Sequence, residues 1–188
     1  MANHCDNDVE ITNCNPDTVE KIKAIFEKLM KPIDSYEEVP YFAELMAVEG
    51  VEQSSLFHKF GTKWIDLYHL DICENTIIVS ATTAWRPFDG LCEMIARMFP
   101  EITLELKYSE GGCDFGGCDK YYHDNNGEFV KECVEMSYLE FKKEYDYEGF
   151  ENELIDTLDN SFDNDKELMI ADEYYAPFAE DIKALDID

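Results

Sequence analysis

Phe60-Gly61-Thr62-Lys63-Trp64 and Thr83-Ala84-Trp85-Arg86-Pro87-Phe88 enclose the stretch of sequence that decides the fold. Apolar and polar residues alternate over 64–72 and 76–83, a pattern typical of strands that are buried on one face. Glu74-Asn75 lies between them as a candidate two-residue turn. Because strands joined by so short a loop must pair antiparallel, the stretch predicts a central β-hairpin.

A helix and a strand are predicted on each side of this hairpin. Asn15-Pro16-Asp17 is a good helix start, with asparagine at the cap and proline at the first helical position, and Pro32 ends that helix. Apolar residues recur at helical spacing again over 88–99. A short alternating strand around 9–11 precedes the first helix, and another over 102–108 follows the second. The order strand, helix, strand, strand, helix, strand is that of a ferredoxin-like βαββαβ unit.

A further hairpin is predicted after this unit. Asp124-Asn125-Asn126-Gly127 is the strongest turn signal in the chain, because Asn-Gly accepts the positive φ angles of tight hairpins. The segment 113–122 before the turn contains Gly116-Gly117, which predicts a twisted or bulged strand, and 129–136 is the returning strand. The predicted fold class is therefore α+β: a ferredoxin-like βαββαβ sandwich with an antiparallel sheet, an added C-terminal hairpin and an acidic helical extension.

The predicted domain boundary lies where the composition changes. Residues 1–138 form the ferredoxin-like domain with its extra hairpin and an insertion at about 32–59, where prolines and a glycine interrupt every pattern. Residues 139–188 are acidic but rich in aromatics at near-helical spacing. An acidic tail that only solvates would not need so many aromatic residues. This part is predicted to be a mainly helical extension packed on the domain.

The net charge of the chain is its most unusual bulk property. Across 188 residues, 43 acidic side chains face 15 basic ones, which gives a formal charge of −28. Such a charge repels nucleic acid and anionic membranes, so direct binding to either is not expected. Two interpretations remain open: a solvated surface that maintains solubility, or a surface complementary to a strongly basic partner.

Cysteine usage and the start of the chain predict a cytoplasmic protein. The seven cysteines are an odd number without a regular framework, which favours reduced thiols over disulfides. The start at Met1 lacks a basic segment followed by an apolar one, so no signal peptide is expected. No uninterrupted apolar run approaches the roughly 20 residues that a membrane helix needs.

A set of short motifs, in order, resembles the YubB ferredoxin-like domain family of plasmid and phage proteins over about residues 60–130. These motifs are Phe60-Gly61-Thr62-Lys63-Trp64, Thr83-Ala84-Trp85-Arg86-Pro87, Met98-Phe99-Pro100, Tyr108-Ser109-Glu110-Gly111-Gly112 and Phe115-Gly116-Gly117, with Asn3-His4-Cys5-Asp6-Asn7 near the N-terminus. Phe60 and Arg86 depart from the pattern, which has tryptophan and a small polar residue there. The resemblance implies the fold and an origin in mobile elements, where proteins that oppose host defences are common. It implies no activity.

The two ends of the hairpin provide a candidate pocket. Antiparallel pairing brings Lys63 and Trp64 close to Trp85 and Arg86, which predicts a small-ligand or enzymatic pocket. A buried aromatic cluster that closes the sandwich explains the same residues.

The cysteines and carboxylates do not define a catalytic or metal site. Cys113 and Cys118 have a spacing at the edge of the zinc-ligand range, and His123, Cys133, Cys5 and His4 complete no second closely spaced pair. A cysteine nucleophile needs a histidine and an orienting group nearby in space, which a sequence does not reveal. Carboxylates are too abundant to single out an acid–base pair. No metal, no cofactor and no enzymatic activity are therefore expected.

The expected function is inhibition of a basic nucleic-acid-binding host protein or complex by an acidic protein from a phage or plasmid. The expected partner-binding residues combine aromatics with acids, as interface hot spots among charges do. They are Tyr145, Asp146, Tyr147, Glu148, Glu151, Asp172, Glu173, Tyr174 and Tyr175. The alternatives are a small-ligand-binding or enzymatic domain that uses the hairpin pocket, and a structural module whose acidity provides only solubility.

Overall fold

The structure is a computed structural model that describes residues 4–30, 60–62 and 64–185. The predicted insertion at about 32–59 and the predicted pocket residue Lys63 lie outside the described residues. The chain divides into two compact units, Met1–Tyr138 and Leu139–Asp188.

Within its described residues, the first unit contains a six-stranded antiparallel sheet and two long helices. Its elements, in chain order, are β1 (His4–Thr12), α1 (Pro16–Leu29), β2 (Ile65–Cys73), β3 (Thr76–Ala84), α2 (Asp89–Met98), β4 (Thr103–Glu110), β5 (Phe115–His123) and β6 (Phe129–Met136). The strands lie in the order β2-β3-β1-β4-β5-β6, and each pairs antiparallel with its neighbours. The first four strands have the ferredoxin-like order, and the hairpin β5-β6 extends the sheet beyond β4. The predicted fold class is confirmed.

One face of the sheet is buried beneath α1 and α2, and the other, which we call the open face, carries exposed residues among those that the structure describes. Along β1, Cys5, Asn7, Val9 and Ile11 are buried, whereas the acidic residues between them, Asp6, Asp8 and Glu10, are exposed. The buried side chains share a core with apolar residues of α1, such as Ile22 and Phe26, and with those of α2. This period-two pattern is what a sheet covered on one side requires.

Asn7 is a polar exception within this core. Its side-chain amide donates to the Cys5 carbonyl at 2.7 Å and to Thr83 Oγ1 at 2.9 Å, so both amide hydrogens have partners. The Asn7 amide group thus ties β1 to β3, whereas its Oδ1 accepts no hydrogen bond from the described residues.

Two details of the strands correct the predictions. The first strand starts at His4 and runs for nine residues, so it is longer than the segment predicted around 9–11. Of the two predicted alternatives at Gly116-Gly117, a twisted or a bulged strand, the bulge is wrong, because β5 pairs in unbroken register with both neighbours. Gly117 instead makes room for a neighbour, since a Cβ there would lie 2.5 Å from the Tyr108 hydroxyl. The register shift of the sheet occurs in β2, between Leu67 and His69.

The second unit is helical. It comprises most of α3 (Tyr138–Tyr145), then α4 (Tyr147–Phe162), α5 (Lys166–Ala171), a 3₁₀ turn (Ala176–Phe178) and α6 (Ala179–Ala184). The apolar stripe of α4, Phe150, Leu154 and Leu158, is fully buried. Phe150 packs edge-on against Phe178 at a centroid distance of 5.5 Å. The aromatics of the acidic segment therefore build a core of their own. Among the helices of the described residues, none is long and apolar enough to span a bilayer.

Candidate functional site

A cavity of about 600 Å³ opens on the helix side of the first unit, beside the hairpin β5-β6. One wall is the segment from Arg86 to Asp89 that leads into α2, and the other is formed by side chains of β5 and β6. The strand register places Asp119 opposite Cys133. Alternate residues of β6 share one face, so Lys131, Cys133 and Glu135 all line the cavity.

Asp119 is the central charged group of this cavity. It is only 4% exposed, and its Oδ2 accepts a hydrogen bond of 3.0 Å from the hydroxyl of buried Tyr121. Lys131 Nζ lies 3.6 Å from Asp119 Oδ2 and 3.6 Å from Asp89 Oδ2, so one ammonium group bridges two carboxylates. Burial opposes the charge on Lys131, but the carboxylates of Asp119 and Asp89 outweigh it and raise the pKa of Lys131.

The second oxygen of Asp119 is left without a strong donor. Asp119 Oδ1 is buried and accepts no hydrogen bond from the residues that the structure describes. Cys133 is its cross-strand neighbour, and a thiol is only a weak donor. A buried carboxylate normally uses both oxygens, so Oδ1 has unused capacity to bind a hydrogen-bond donor.

The thiols and phenols around the cavity remain protonated. Burial, together with the adjacent Asp119 carboxylate, raises the pKa of the Cys133 thiol. Burial also raises the pKa of Cys92, Tyr108 and Tyr121. Since the thiolate is the reactive form of cysteine, the cavity holds no activated thiol nucleophile.

The structure separates the residues considered as zinc ligands. Cys118 pairs with Lys107 on the open face of the sheet, whereas Cys133 lines the cavity on the helix side. Cys5 is buried in the core. Within residues 4–30, 60–62 and 64–185, no group of three or more histidine, cysteine or acidic side chains is arranged to hold a metal ion.

The predicted hairpin pocket is only partly assembled. Arg86 lines the cavity, but Trp85 is 47% exposed with a φ of +69°, and Trp64 packs edge-on against His4 at 5.3 Å. The alternative of a buried aromatic cluster is wrong for Trp85. The left-handed backbone of Trp85, directly after β3, interrupts the alternation that buries Ala81 and Thr83.

The two motifs meet through Thr62 and Gly61 rather than through their tryptophans. Thr62 Oγ1 donates to the Ala84 carbonyl and accepts from the Ala84 amide, both at 3.0 Å. Gly61 has a φ of +91° and lies against Asp89 and the Pro87 carbonyl, where a Cβ would clash. These contacts fix the Arg86–Asp89 wall of the cavity, so the motifs position the site more than they form it.

The residues predicted to bind a partner fall into two groups in the second unit. Tyr145 to Glu151 lie around the start of α4, whereas Tyr175 packs edge-on against Phe162 at its end, with centroids 5.6 Å apart. Because a helix rises about 1.5 Å per residue, the groups lie on the order of 20 Å apart along α4. The predicted residues therefore do not form a single patch.

Two of these residues, Asp146 and Asp172, stabilise the local backbone of the second unit. Asp146 caps α4 by accepting from the Gly149 amide at 3.1 Å, and it pairs with Lys142 at 2.6 Å. Asp172 accepts from the Tyr174 amide at 2.9 Å. Glu148, Glu151 and Glu173 are exposed and have no capping or pairing role among the described contacts. The exposed tyrosines Tyr145, Tyr147 and Tyr174 each pack against a neighbouring aromatic ring.

A second acidic surface, on the open face of the sheet, was not predicted as a site. We call it the acidic sheet face. It consists of Asp6, Asp8 and Glu10 of β1, Asp66 and Asp71 of β2, Glu105 of β4 and Glu132 of β6. Two lysines, Lys107 and Lys120, share this face. The alternation of acids at 6, 8 and 10 was the available signal.

Comparison with known proteins agrees with this architecture. Residues 66–158, just under half of the chain, match the model of a family described as "Ferredoxin-like domain in Api92-like protein". The chain contains a ferredoxin-like domain. The match begins in β2 and ends within α4, so the central strand β1 of the ferredoxin-like domain lies outside it. Neither the curated proteins nor the solved structures include a significant match.

Proposed function

We propose that this protein is a non-enzymatic interaction protein that docks on a basic, nucleic-acid-binding surface of a host defence complex and blocks it by mimicking nucleic acid. The observation that carries the proposal is the acidic sheet face. A net charge of −28 favours association with a strongly basic partner and disfavours direct contact with nucleic acid.

The row of carboxylates on β1 is regular, and neighbouring hydroxyls hold two of its three members. Alternate residues of a strand lie about 6.8 Å apart on one face, so Asp6, Asp8 and Glu10 present charges at a constant spacing. The Ser80 hydroxyl donates to Asp8 Oδ1 at 2.7 Å, and the Thr82 hydroxyl donates to Asp6 Oδ1 at 3.3 Å. Carboxylates held by neighbouring hydroxyls lose little conformational entropy when a partner binds.

The lysines on this face neutralise little of its charge. Lys107 Nζ pairs with Glu105 Oε1 at 3.2 Å, and Lys120 lies over the ring of Tyr122. The carboxylates of β1 and β2 remain exposed. Such an array steers a basic partner toward this side of the sheet and makes association strongly salt-dependent.

The proposed class of target rests on the family that the sequence motifs resemble. The sequence motifs resemble the YubB family, whose members belong to plasmids and phages, and a host complex of the CRISPR or restriction type fits that origin. The protein would act in the host cytoplasm, where its free cysteines would stay reduced. The exposed acids of the second unit, Glu148 and Glu151 at the start of α4 and Glu173 of the group near its end, would provide further points of contact.

Three variants that each remove three negative charges test the proposal. The first neutralises the β1 row (Asp6→Asn, Asp8→Asn, Glu10→Gln), and the second neutralises the second unit (Glu148→Gln, Glu151→Gln, Glu173→Gln). The matched control neutralises exposed acids of α1 (Asp17→Asn, Glu20→Gln, Glu27→Gln). Each variant is immobilised and challenged with host lysate at low and high salt.

The expected partner binds DNA or RNA on its own, is displaced by added nucleic acid, and is retained by the α1 control but lost by the β1-row variant. If the second-unit variant also fails to retain the partner, Glu148, Glu151 and Glu173 contribute to the interface. The proposal fails if the wild-type protein retains no such partner at low salt, or if the β1-row variant retains it as well as the control does.

A further inference from the structure

We propose that the cavity beside the hairpin β5-β6 is a binding site for an organic cation, a guanidinium or alkylammonium group, with Asp119 as its main acceptor. This site lies on the helix side of the sheet, opposite the acidic sheet face. It is therefore independent of the docking surface proposed above.

The unused acceptor of Asp119 is the first argument. Asp119 lines the cavity, and its buried Oδ1 accepts no hydrogen bond from the described residues, although Oδ2 is held by Tyr121 and approached by Lys131. An ionised carboxylate accepts hydrogen bonds only, so its natural ligand is a donor. A charged donor makes the stronger bond.

The charge balance of the cavity is the second argument. Its lining includes Asp89, Asp114, Asp119 and Glu135 against Arg86 and Lys131. Lys131 is already shared between Asp89 and Asp119, whereas Arg86, Asp114 and Glu135 are all exposed to solvent, which screens them alike. The excess of carboxylates disfavours an anion and favours a cation.

The aromatic wall is the third argument. Tyr108 and Phe115 both line the cavity, with ring centroids 6.2 Å apart. Tyr108 is fixed against Gly117, where a Cβ would lie 2.5 Å from its hydroxyl. Aromatic faces attract cations, and a planar guanidinium group stacks on them. Carboxylates combined with aromatic rings therefore select a flat organic cation over a metal ion.

The test is a titration of the full-length protein, followed by amide NMR, with n-butylguanidinium and its uncharged analogue n-butylurea, at about 0.15 M NaCl to screen diffuse binding to the acidic surface. Butylguanidinium is expected to shift the amides of Asp119, Tyr121 and Lys131 with saturation at one site, and butylurea is not. Capped Gly-Arg-Gly forms the second arm. Tighter binding of the peptide would identify a partner's arginine as the source of the cation, whereas tighter binding of butylguanidinium would identify a free small molecule.

Two variants and a matched control decide the assignment. Asp119→Asn is expected to weaken butylguanidinium binding about tenfold or more, as expected for loss of a charged hydrogen bond. Asp8→Asn removes the same charge from the opposite face and should leave the affinity within about twofold. Lys131→Met removes the competing ammonium group and should strengthen binding.

The proposal is overturned if butylurea binds as well as butylguanidinium, or if Asp119→Asn and Asp8→Asn have equal effects. Should Asp119→Asn fail to fold, Lys131→Met decides, because unchanged or weaker binding in that variant contradicts the role of Asp119.

Discussion

Replacing Glu10 by glutamine should stabilise the first unit, because Glu10 lies in the most crowded part of the acidic sheet face. Its partner in register on β4 is Glu105, a like charge directly across the strand pair, and Asp8 lies two residues away on the same face. Like charges opposite one another destabilise a sheet.

The size of the effect follows from these positions. Two unit charges roughly 6 Å apart in water repel by about 0.7 kcal/mol, and Glu10 has two such neighbours. Lys107 pairs with Glu105 at 3.2 Å and offsets part of that repulsion. Glu10→Gln should therefore raise the free energy of unfolding by about 0.5–1 kcal/mol at low salt.

Urea denaturation followed by tryptophan fluorescence measures this change, since both tryptophans, Trp64 and Trp85, belong to the first unit. The gain should be present at about 0.02 M NaCl and largely lost at about 1 M, where the screening length falls to about 3 Å. Glu20→Gln on exposed α1 is the matched control and should change stability little. A Glu10→Gln variant that is destabilised, or whose gain is independent of salt, would refute the electrostatic reasoning.

Three further predictions concern packing, titration and capping. Gly117→Ala should destabilise the first unit by about 1–3 kcal/mol in urea denaturation, because its Cβ would lie 2.5 Å from the Tyr108 hydroxyl and 2.6 Å from the Val134 carbonyl. Gly127→Asn, at a turn position with no atom near the added Cβ, is the control and should change stability little. Equal losses of stability in the two variants would contradict the packing argument. Burial raises the pKa of Cys5 from 9.0 to about 12, and burial together with Glu101 raises the pKa of Cys14 from 9.0 to about 11. Both thiols stay protonated in the folded state, so the free energy of unfolding should be constant below about pH 9 and fall above it, as the thiols of the unfolded chain ionise. In alkaline denaturation, Cys5→Ser should make this fall with pH less steep between about pH 9 and 12. The same steepness in Cys5→Ser and the wild type would contradict this prediction. Asp146→Ala should raise the rate of amide hydrogen exchange at the start of α4, because the helix loses about 1 kcal/mol of capping energy. Asp146→Asn keeps a side-chain acceptor and should exchange as the wild type does. Equal exchange rates in the two variants would show that Asp146 does not act as a cap.

The strand order was predictable because each signal was local. The hairpin β2-β3 follows from alternation around Glu74-Asn75, and β6 follows the Asn-Gly turn with the bounds that the structure shows. The length of β1 was missed, since its buried positions include Asn7, whose side-chain amide donates to Thr83 of β3 as well as to Cys5 of its own strand. A polar residue with a partner on a distant strand has no local signature.

The candidate site was less predictable for the same reason. Arg86 was identified, but Asp119, Lys131 and Cys133 come together only through the register of β5 and β6. The acids of the second unit were predicted to bind a partner because they are dense in the sequence, yet Asp146 caps a helix and Asp172 stabilises a turn. A high density of acidic residues in the sequence therefore does not locate an acidic binding surface. The acids at every second position of β1, Asp6, Asp8 and Glu10, do locate one, because alternate residues of a strand share a face.

The most direct test of the central claim is displacement of labelled double-stranded DNA from the purified partner by this protein. The wild-type protein and the α1 control (Asp17→Asn, Glu20→Gln, Glu27→Gln) are predicted to release the DNA at similar concentrations. The β1-row variant (Asp6→Asn, Asp8→Asn, Glu10→Gln) should need about tenfold more protein, as expected for loss of several interface charges. Equal potency of the β1-row variant and the α1 control would contradict the claim that the acidic sheet face mimics nucleic acid.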